Sequence, residues 1–104
     1  MSIYFVTRHP GAHDWAAAEG LQVDALVPHL DPAIIQPGDQ VIGSLPVNLA
    51  AEVCARGGRY LHLSLDLPPA LRGQELGVEQ MRACNARIEE YRVLPIDHTQ
   101  GDRP

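Results

Sequence analysis

Apolar and polar positions along the first half of the chain follow strand and helix periods in turn. The apolar run at residues 3–6 predicts a first strand at 3–7 that is covered on both faces. Helix one is predicted at 10–19, because Pro10 suits the first helical turn and Gly20 provides a stop. Residues 21–27 hold a short second strand, and Asp31-Pro32 opens a single helical turn that runs to Ile35.

The second half continues the alternation. A turn at 37–39 precedes a third strand at 40–45, and Pro46 begins a second helix that ends at Gly57-Gly58. A fourth strand covers 60–65 and stops before Pro68-Pro69. Helical spacing then predicts a third helix at 78–90, on the positions Val78, Met81, Cys84, Ile88 and Tyr91. Residues 93–96 are predicted as a final edge strand and 98–104 as a flexible tail.

This order of elements indicates an α/β fold. Strands that alternate with helices favour a three-layer sandwich around a mostly parallel sheet. The 104 residues make one domain, predicted over 1–97, with 45% hydrophobic and 20% charged residues as in ordinary globular proteins. No apolar run reaches membrane-spanning length and Met1 leads directly into the first strand, so a cytoplasmic protein without a signal peptide is expected.

The net charge and the two cysteines indicate which classes of ligand the protein can bind. A net charge of −5 argues against binding long nucleic acid through a broad basic face, but it leaves room for a small anion in a local pocket. Cys54 and Cys84 lie among apolar neighbours and are predicted to be reduced core thiols. Their spacing does not suggest zinc, and we predict neither a metal nor another cofactor.

Polar side chains stand where three of the predicted strands end. In an open parallel sheet these carboxyl ends share one edge, where ligands bind. The exits are Thr7-Arg8-His9, Gly43-Ser44 with Asn48 one turn into the next helix, and Ser64-Leu65-Asp66. The amides near Gly11 and Ala12 add a helix N-terminus that favours an anion. A guanidinium, an imidazole, hydroxyls and an amide together suit a phosphodiester.

Each of these side chains also has an ordinary structural role open to it. Arg8 pairs with Asp66 or Asp14 in that interpretation, and His9 is only a residue at the start of a helix. Ser44 and Ser64 are then turn or cap hydroxyls, Asn48 forms a local hydrogen bond at the start of a helix, and Asp66 caps the following turn. His13 is a solvated helix residue and His62 a packed histidine within a strand.

Three motifs resemble a known protein family. They are YFVTRHPGA at 4–12, GDQVIGSLPVNLAAE at 38–52 and RYLHLSLDLP at 59–68, the last followed by Arg72-Gly73. Together with Asp31-Pro32 they resemble a small CRISPR-associated family, the Csx family numbered sixteen, which is found beside type III CRISPR systems. The likeness runs from Ile3 to about Arg92.

The resemblance implies a ring nuclease with a Rossmann-like fold that acts as a homodimer. Type III systems make cyclic oligoadenylates when they detect foreign RNA, and these rings switch on toxic nucleases. A ring nuclease cuts the ring, with cyclic tetra-adenylate the favoured substrate, and so ends the signal. A ring of four equivalent nucleotides matches the two-fold symmetry of a dimer, which suggests one shared pocket.

The residue roles follow from chemistry rather than from the resemblance. A ribose 2′-hydroxyl can attack the adjacent 3′-phosphate without a metal, provided that the protein aligns the groups and stabilises the charge that develops. We predict Arg8 for the phosphate, His9 as general acid or base, and Ser44 and Asn48 for orienting ribose or phosphate. The other predicted ligand contacts are Thr7, Gly11, Ala12, Ser64 and Asp66.

Three alternatives remain open at this point. A strand followed by Arg-His-x-Gly is similar to the histidine phosphatases, although Pro10 interrupts the usual Arg-His-Gly and the chain is short for that fold. A binding protein that sequesters the ring without cutting it would need the same residues. A structural subunit of a CRISPR complex is the third, and the acidic net charge disfavours guide-RNA binding by it.

Overall fold

The structure is a computed structural model that describes residues 1–96. The predicted tail at 98–104 lies outside the described residues. Five strands are present: β1 (Ile3–Val6), β2 (Ala25–Val27), β3 (Gln40–Gly43), β4 (Arg59–Ser64) and β5 (Arg87–Tyr91). The described α-helices are α1 (Pro10–Ala18), α2 (Val47–Ala55) and α3 (Val78–Ala83), with 3-10 turns at Pro32–Ile34 and Pro69–Leu71. The Asp31 carboxylate caps the first of these turns by accepting from the Ala33 amide at 3.0 Å.

The five strands form one sheet in the order β2-β1-β3-β4-β5. The first four are parallel, and β5 runs antiparallel to β4, which confirms the predicted mixed α/β fold with a mostly parallel sheet. The chain leaves β1 for β2 on one side and then crosses to β3 on the other. Strand order therefore reverses between β1 and β3, and such a switch point is where parallel sheets open a ligand crevice.

The predicted third helix at 78–90 is wrong in its second half. Helix α3 ends at Ala83, Asn85 turns the chain with a φ of 58°, and Arg87–Tyr91 forms β5. Ser64 of β4 pairs with Arg87 at the start of the new strand. Pairing with β5 satisfies the backbone groups that β4 would otherwise leave open at the sheet edge. The predicted edge strand at 93–96 is also wrong, because those residues form no strand.

Two apolar clusters lie on opposite faces of the sheet. Phe5, Ile42 and Leu63 pack with α1 and α3 on one face, where Trp15 and Met81 are buried. The other face carries Val41 and packs α2, together with the segment around the 3-10 turn at Pro32–Ile34. Neighbouring strand residues point to opposite faces, so the apolar pair at the centre of β3 contributes to both clusters.

The structure also shows the state of both cysteines and the lengths of the described helices. Cys54 and Cys84 are both free, with Cys84 buried and Cys54 half-buried. Among residues 1–96, no helix is both long enough and apolar enough to cross a bilayer.

Candidate functional site

A cavity of about 710 Å³ opens at the carboxyl ends of β1, β2 and β3, over the switch point. We call it the strand-end cleft. Its first wall consists of the segments that follow these strands, at residues 7–9, 28–30 and 44–46. Its second wall is the stretch from Leu65 to Leu76, of which Leu67, Gln74 and Glu75 also contact the cavity. The volume lies within the range of small-molecule sites.

The cleft brings together five of the predicted site residues. They are Thr7, Arg8, His9, Ala12 and Ser44. Arg8 and His9 are exposed, and none of the ion pairs formed among residues 1–96 includes Arg8. The guanidinium is therefore available to an anion that enters the cleft.

Thr7 shapes the turn that presents Arg8 and His9. Its amide donates to the Val27 carbonyl at 3.0 Å and so extends the pairing of β1 with β2. Its hydroxyl accepts from the His9 amide at 3.1 Å. The hydroxyl proton is not used in that bond, so Thr7 can still donate to a ligand.

The N-terminus of α1 offers fewer free amides than the sequence suggested. The Ala12 amide donates to the His9 carbonyl at 3.1 Å, and Pro10 has no amide proton. Gly11 does not line the cleft. The Leu76 carbonyl lies so close to Gly11 that a Cβ at this position would overlap it. Anion binding here therefore depends on the side chains more than on the helix end.

Ser44 stands at the end of β3 with a defined hydrogen bond. Its hydroxyl donates to the Leu63 carbonyl of β4 at 2.8 Å. The proton is thus engaged, while the oxygen lone pairs are open toward solvent. Ser44 is therefore suited to accept a hydrogen bond from a ribose hydroxyl, and less suited to donate one to a phosphate.

Besides Gly11, three further predicted residues lie outside the cleft. Asn48 is exposed on the first turn of α2 and does not line the cavity. The Ser64 hydroxyl donates to Glu89 of β5 at 2.6 Å. Asp66 accepts from Asn85 at 3.1 Å and from Arg87 at 3.2 Å, and these two partners lower the pKa of its carboxyl. Asp66 thus pairs with Arg87, not with Arg8.

Sequence reasoning missed three polar residues of the cleft, namely His29, Gln74 and Glu75. His29 follows β2 as His9 follows β1, and the parallel pairing of Val6 with Val27 places both exits side by side. The rule used for the other strand ends, applied to β2, would have identified it. Gln74 and Glu75 lie in an irregular stretch, and no local signal marks them.

A smaller hollow of about 360 Å³ lies beside β5 and is lined by Arg59, Glu90 and Arg92, among others. Arg59 and Glu90 form a two-point ion pair, with nitrogen-to-oxygen distances of 2.7 and 2.9 Å. This pairing raises the pKa of Arg59 and lowers that of Glu90. The two charges satisfy each other, and Arg92 forms no ion pair among residues 1–96. The hollow has about half the volume of the strand-end cleft and no histidine in its lining, so the cleft is the better candidate for binding and cutting a phosphodiester.

Comparisons with known proteins point to one family. Its profile matches residues 4–94 and carries the description "Putative CRISPR-associated protein (Cas_VVA1548)". Searches of curated proteins and of solved structures gave no match. The matched range contains every residue of the strand-end cleft and the whole sheet except Ile3, the first residue of β1. The chain therefore belongs to this CRISPR-associated family.

Proposed function

We propose that this protein is a ring nuclease of the Csx family numbered sixteen, with a Rossmann-like three-layer fold and a cytoplasmic location. It would bind a cyclic oligoadenylate, with cyclic tetra-adenylate the favoured ring, and cut it to end type III CRISPR signalling. One observation carries the proposal: the strand-end cleft holds Arg8, which pairs with no carboxylate of residues 1–96, beside His9 and His29. Membership of a CRISPR-associated family supports it.

The proposed reaction is an in-line transesterification. The ribose 2′-oxygen forms a bond to the adjacent phosphorus, and the bond from phosphorus to the 5′-oxygen breaks. The 2′-hydroxyl proton passes to a general base, and a general acid gives a proton to the departing 5′-oxygen. The products are a 2′,3′-cyclic phosphate and a 5′-hydroxyl. Atoms and protons balance with side chains alone.

The cleft residues divide these tasks. Arg8 binds the phosphate and stabilises the charge that grows on its oxygens in the transition state. The two imidazoles of His9 and His29 provide the base and the acid, since imidazole gains and loses protons near neutral pH. Ser44 orients the ribose by accepting from a hydroxyl. Leu65, Leu67 and Met81 give the cleft an apolar part that suits a base.

The test is direct. The purified protein is incubated with cyclic tetra-adenylate in excess chelator, and the products are followed by chromatography. We expect a linear product with a 2′,3′-cyclic phosphate end. Arg8→Ala should lower the cleavage rate at least about 100-fold, the loss typical of one donor to a developing anion. The control is Arg56→Ala, which removes an exposed arginine paired with Glu52 outside the cleft.

The outcomes separate the alternatives. An intact ring after many equivalents of protein contradicts the nuclease. Tight binding of that intact ring would identify a sequestering protein instead. Hydrolysis of a simple phosphomonoester would favour the phosphatase. Cleavage that survives Arg8→Ala at full rate would leave the activity in place and remove Arg8 from the mechanism.

A further inference from the structure

We propose that Tyr60 is a positioning residue for Ser44, and that His62 controls it by deciding where the Tyr60 phenol proton points. The inference rests on the proposed function only for its effect on catalysis. The hydrogen bonds of the Tyr60 hydroxyl to the turn that joins β3 to α2 do not depend on the proposed function.

The Tyr60 hydroxyl holds the backbone on both sides of Ser44. It lies 3.2 Å from the Gly43 carbonyl oxygen, to which it can donate, and it accepts from the Leu45 amide at 2.9 Å. The tyrosine is only 3% exposed, and burial raises the pKa of its phenol, which keeps the proton in place. Residues 43 and 45 are thus tied to one atom of β4, and Ser44 projects between them.

A third partner competes for the same hydroxyl. His62 Nδ1 lies 2.6 Å from the Tyr60 oxygen. A phenol has one proton and here faces two acceptors, the Gly43 carbonyl and a bare Nδ1. If Nδ1 carries no proton, the short contact takes the phenol proton and the Gly43 carbonyl loses its partner. If Nδ1 carries a proton, the imidazole donates to Tyr60, and Tyr60 donates to Gly43.

Protonation of the imidazole gives both ring nitrogens a proton and therefore selects the second arrangement. All three bonds around the Tyr60 oxygen are then satisfied, and the backbone on both sides of Ser44 is held. His62 is half-buried, so solvent protons reach it. Hydrogen bonds thus connect the half-buried His62, through the Tyr60 hydroxyl, to the backbone on both sides of Ser44.

Other ionisable groups lie on the two elements next to β4, namely β5 and α2. From β5, Glu89 is the direct partner of His62 in the sheet, and the Tyr91 ring lies edge-on with its centre 5.9 Å away. Glu89 is itself engaged by Ser64 and by Arg87, at 2.6 and 3.5 Å. Helix α2 packs on β4 and carries Glu52 and Cys54, and Arg56 follows directly after the helix.

Nuclear magnetic resonance tests the coupling between His62, Tyr60 and the Leu45 amide, and it needs neither a cyclic oligoadenylate nor an activity assay. The amide shift of Leu45 is followed between about pH 5 and 8, the interval in which histidine charges change. We expect it to move together with the His62 ring signals in the wild-type protein. In Tyr60→Phe and in His62→Gln, the Leu45 shift should lose this movement. Movement that persists in His62→Gln would overturn the role of His62.

A cleavage assay tests the consequence for Ser44. Tyr60→Phe keeps the ring that packs in the core and removes only the hydroxyl. We expect kcat to fall about 10- to 100-fold through misplacement of the turn, while KM stays within about threefold. Tyr4→Phe is the matched control, because Tyr4 packs on the same sheet face and its hydroxyl makes no hydrogen bond within residues 1–96.

Failures of the two proposals remain distinguishable. If the wild type does not cut the ring, the proposed function fails, and the Leu45 titration still decides the role of Tyr60 and His62. If the wild type cuts the ring and Tyr60→Phe cuts it with unchanged kcat, Tyr60 is not a positioning residue. If Tyr60→Phe does not fold, His62→Gln retains the phenol and supplies the same pH comparison.

Discussion

Arg8 and Arg87 differ in whether their guanidinium groups already have partners within the protein. Arg87 contacts the Asp66 carboxylate at 3.2 Å and the Asn85 carbonyl at 3.0 Å, so its donors serve the turn before β5. Arg8 lines the strand-end cleft and forms no ion pair within the described part of the chain, residues 1–96. A guanidinium without an internal partner loses no structural contact when it binds a phosphate. The same residue type therefore has a structural role at one position and a proposed ligand role at the other.

The first prediction at the residue scale concerns the two imidazoles. If His9 and His29 act as base and acid, the cleavage rate plotted against pH should be bell-shaped. His29→Ala and His9→Ala should each remove one limb of the profile and lower the rate about 100-fold or more. His13→Ala is the control, since His13 is exposed on α1 and does not line the cleft. A profile that His29→Ala leaves bell-shaped would exclude His29 from proton transfer.

The second prediction concerns Asp39, which is 3% exposed. Its carboxylate accepts from the Gln36 amide at 2.9 Å and from the Ser2 amide at 2.8 Å. These bonds, Gln36 first, lower the pKa of Asp39. A carboxyl whose pKa is lower in the folded state stabilises the fold above its unfolded pKa of about 4, and this contribution is lost as pH falls through the folded pKa.

Thermal unfolding of Asp39→Asn checks this expectation. The variant should have a lower Tm than the wild type at pH 7, because an amide cannot accept from both backbone donors. The Tm difference should shrink as the pH falls below about 4. Asp31→Asn is a suitable comparison, since Asp31 caps an exposed turn with one bond. A Tm difference for Asp39→Asn that stays constant to low pH would contradict the assignment.

At the scale of elements, the stretch between β4 and α3 makes a close contact with α1. The Leu76 carbonyl rests against Gly11 near the start of α1, so the second wall of the cleft is fixed to the helix that follows β1. Met81 then buries α3 against the same side of the sheet. The two walls of the strand-end cleft are therefore set by packing between α1 and the segment that leads into α3.

Gly11→Ala tests this contact. A Cβ at this position overlaps the Leu76 carbonyl, so the stretch must move away or the helix must shift. We expect a loss of about 1–3 kcal/mol in unfolding free energy, the usual cost of overpacking, and altered amide shifts at Leu76 and Glu75. Gly77→Ala is the control, because its φ is −83° and no atom lies near its Cβ position. Equal stability of the two variants would contradict the contact.

At the scale of the whole molecule, the proposed ligand has more phosphates than one cleft has copies of Arg8. A cyclic tetra-adenylate has four equivalent phosphates, and each chain presents one Arg8 in its cleft. A two-fold dimer whose clefts face each other would bring two copies of each group to one ring. The symmetry of the proposed ligand and the position of Arg8 support the homodimer that we propose.

Calorimetry checks the whole-molecule prediction. The ring is titrated into His9→Ala, which is expected to bind without efficient cutting, and we expect one ring for every two chains. Light scattering of the same sample should give the mass of a dimer. A linear tetra-adenylate is the control ligand and should bind more weakly, because it pays the entropy of closure on binding. One ring bound per chain would contradict the shared pocket.

Much of the fold follows from local pattern. Pro10 and Gly20 bracket α1 because proline suits a first turn and glycine readily adopts the φ of 73° found after it. The strand exits at Thr7 and Ser44 were predictable because carboxyl ends of parallel strands share an edge. The helical spacing that continued to Tyr91 led to the wrong prediction of one long third helix. Apolar residues at a helical period do not reveal the turn at Asn85.

The sequence by itself determined the α/β class, the strand-end location of Arg8, His9 and Ser44, and the likeness to a CRISPR-associated family. These three features depend on the spacing of residues and on the local conformational preferences of each residue type, both of which can be read directly from the sequence. Only the tertiary structure decided that Ser64 and Asp66 serve β5, and that His29 and Tyr60 reach the surroundings of Ser44. Those outcomes depend on which strands become neighbours, and non-local pairing is not encoded in local periodicity.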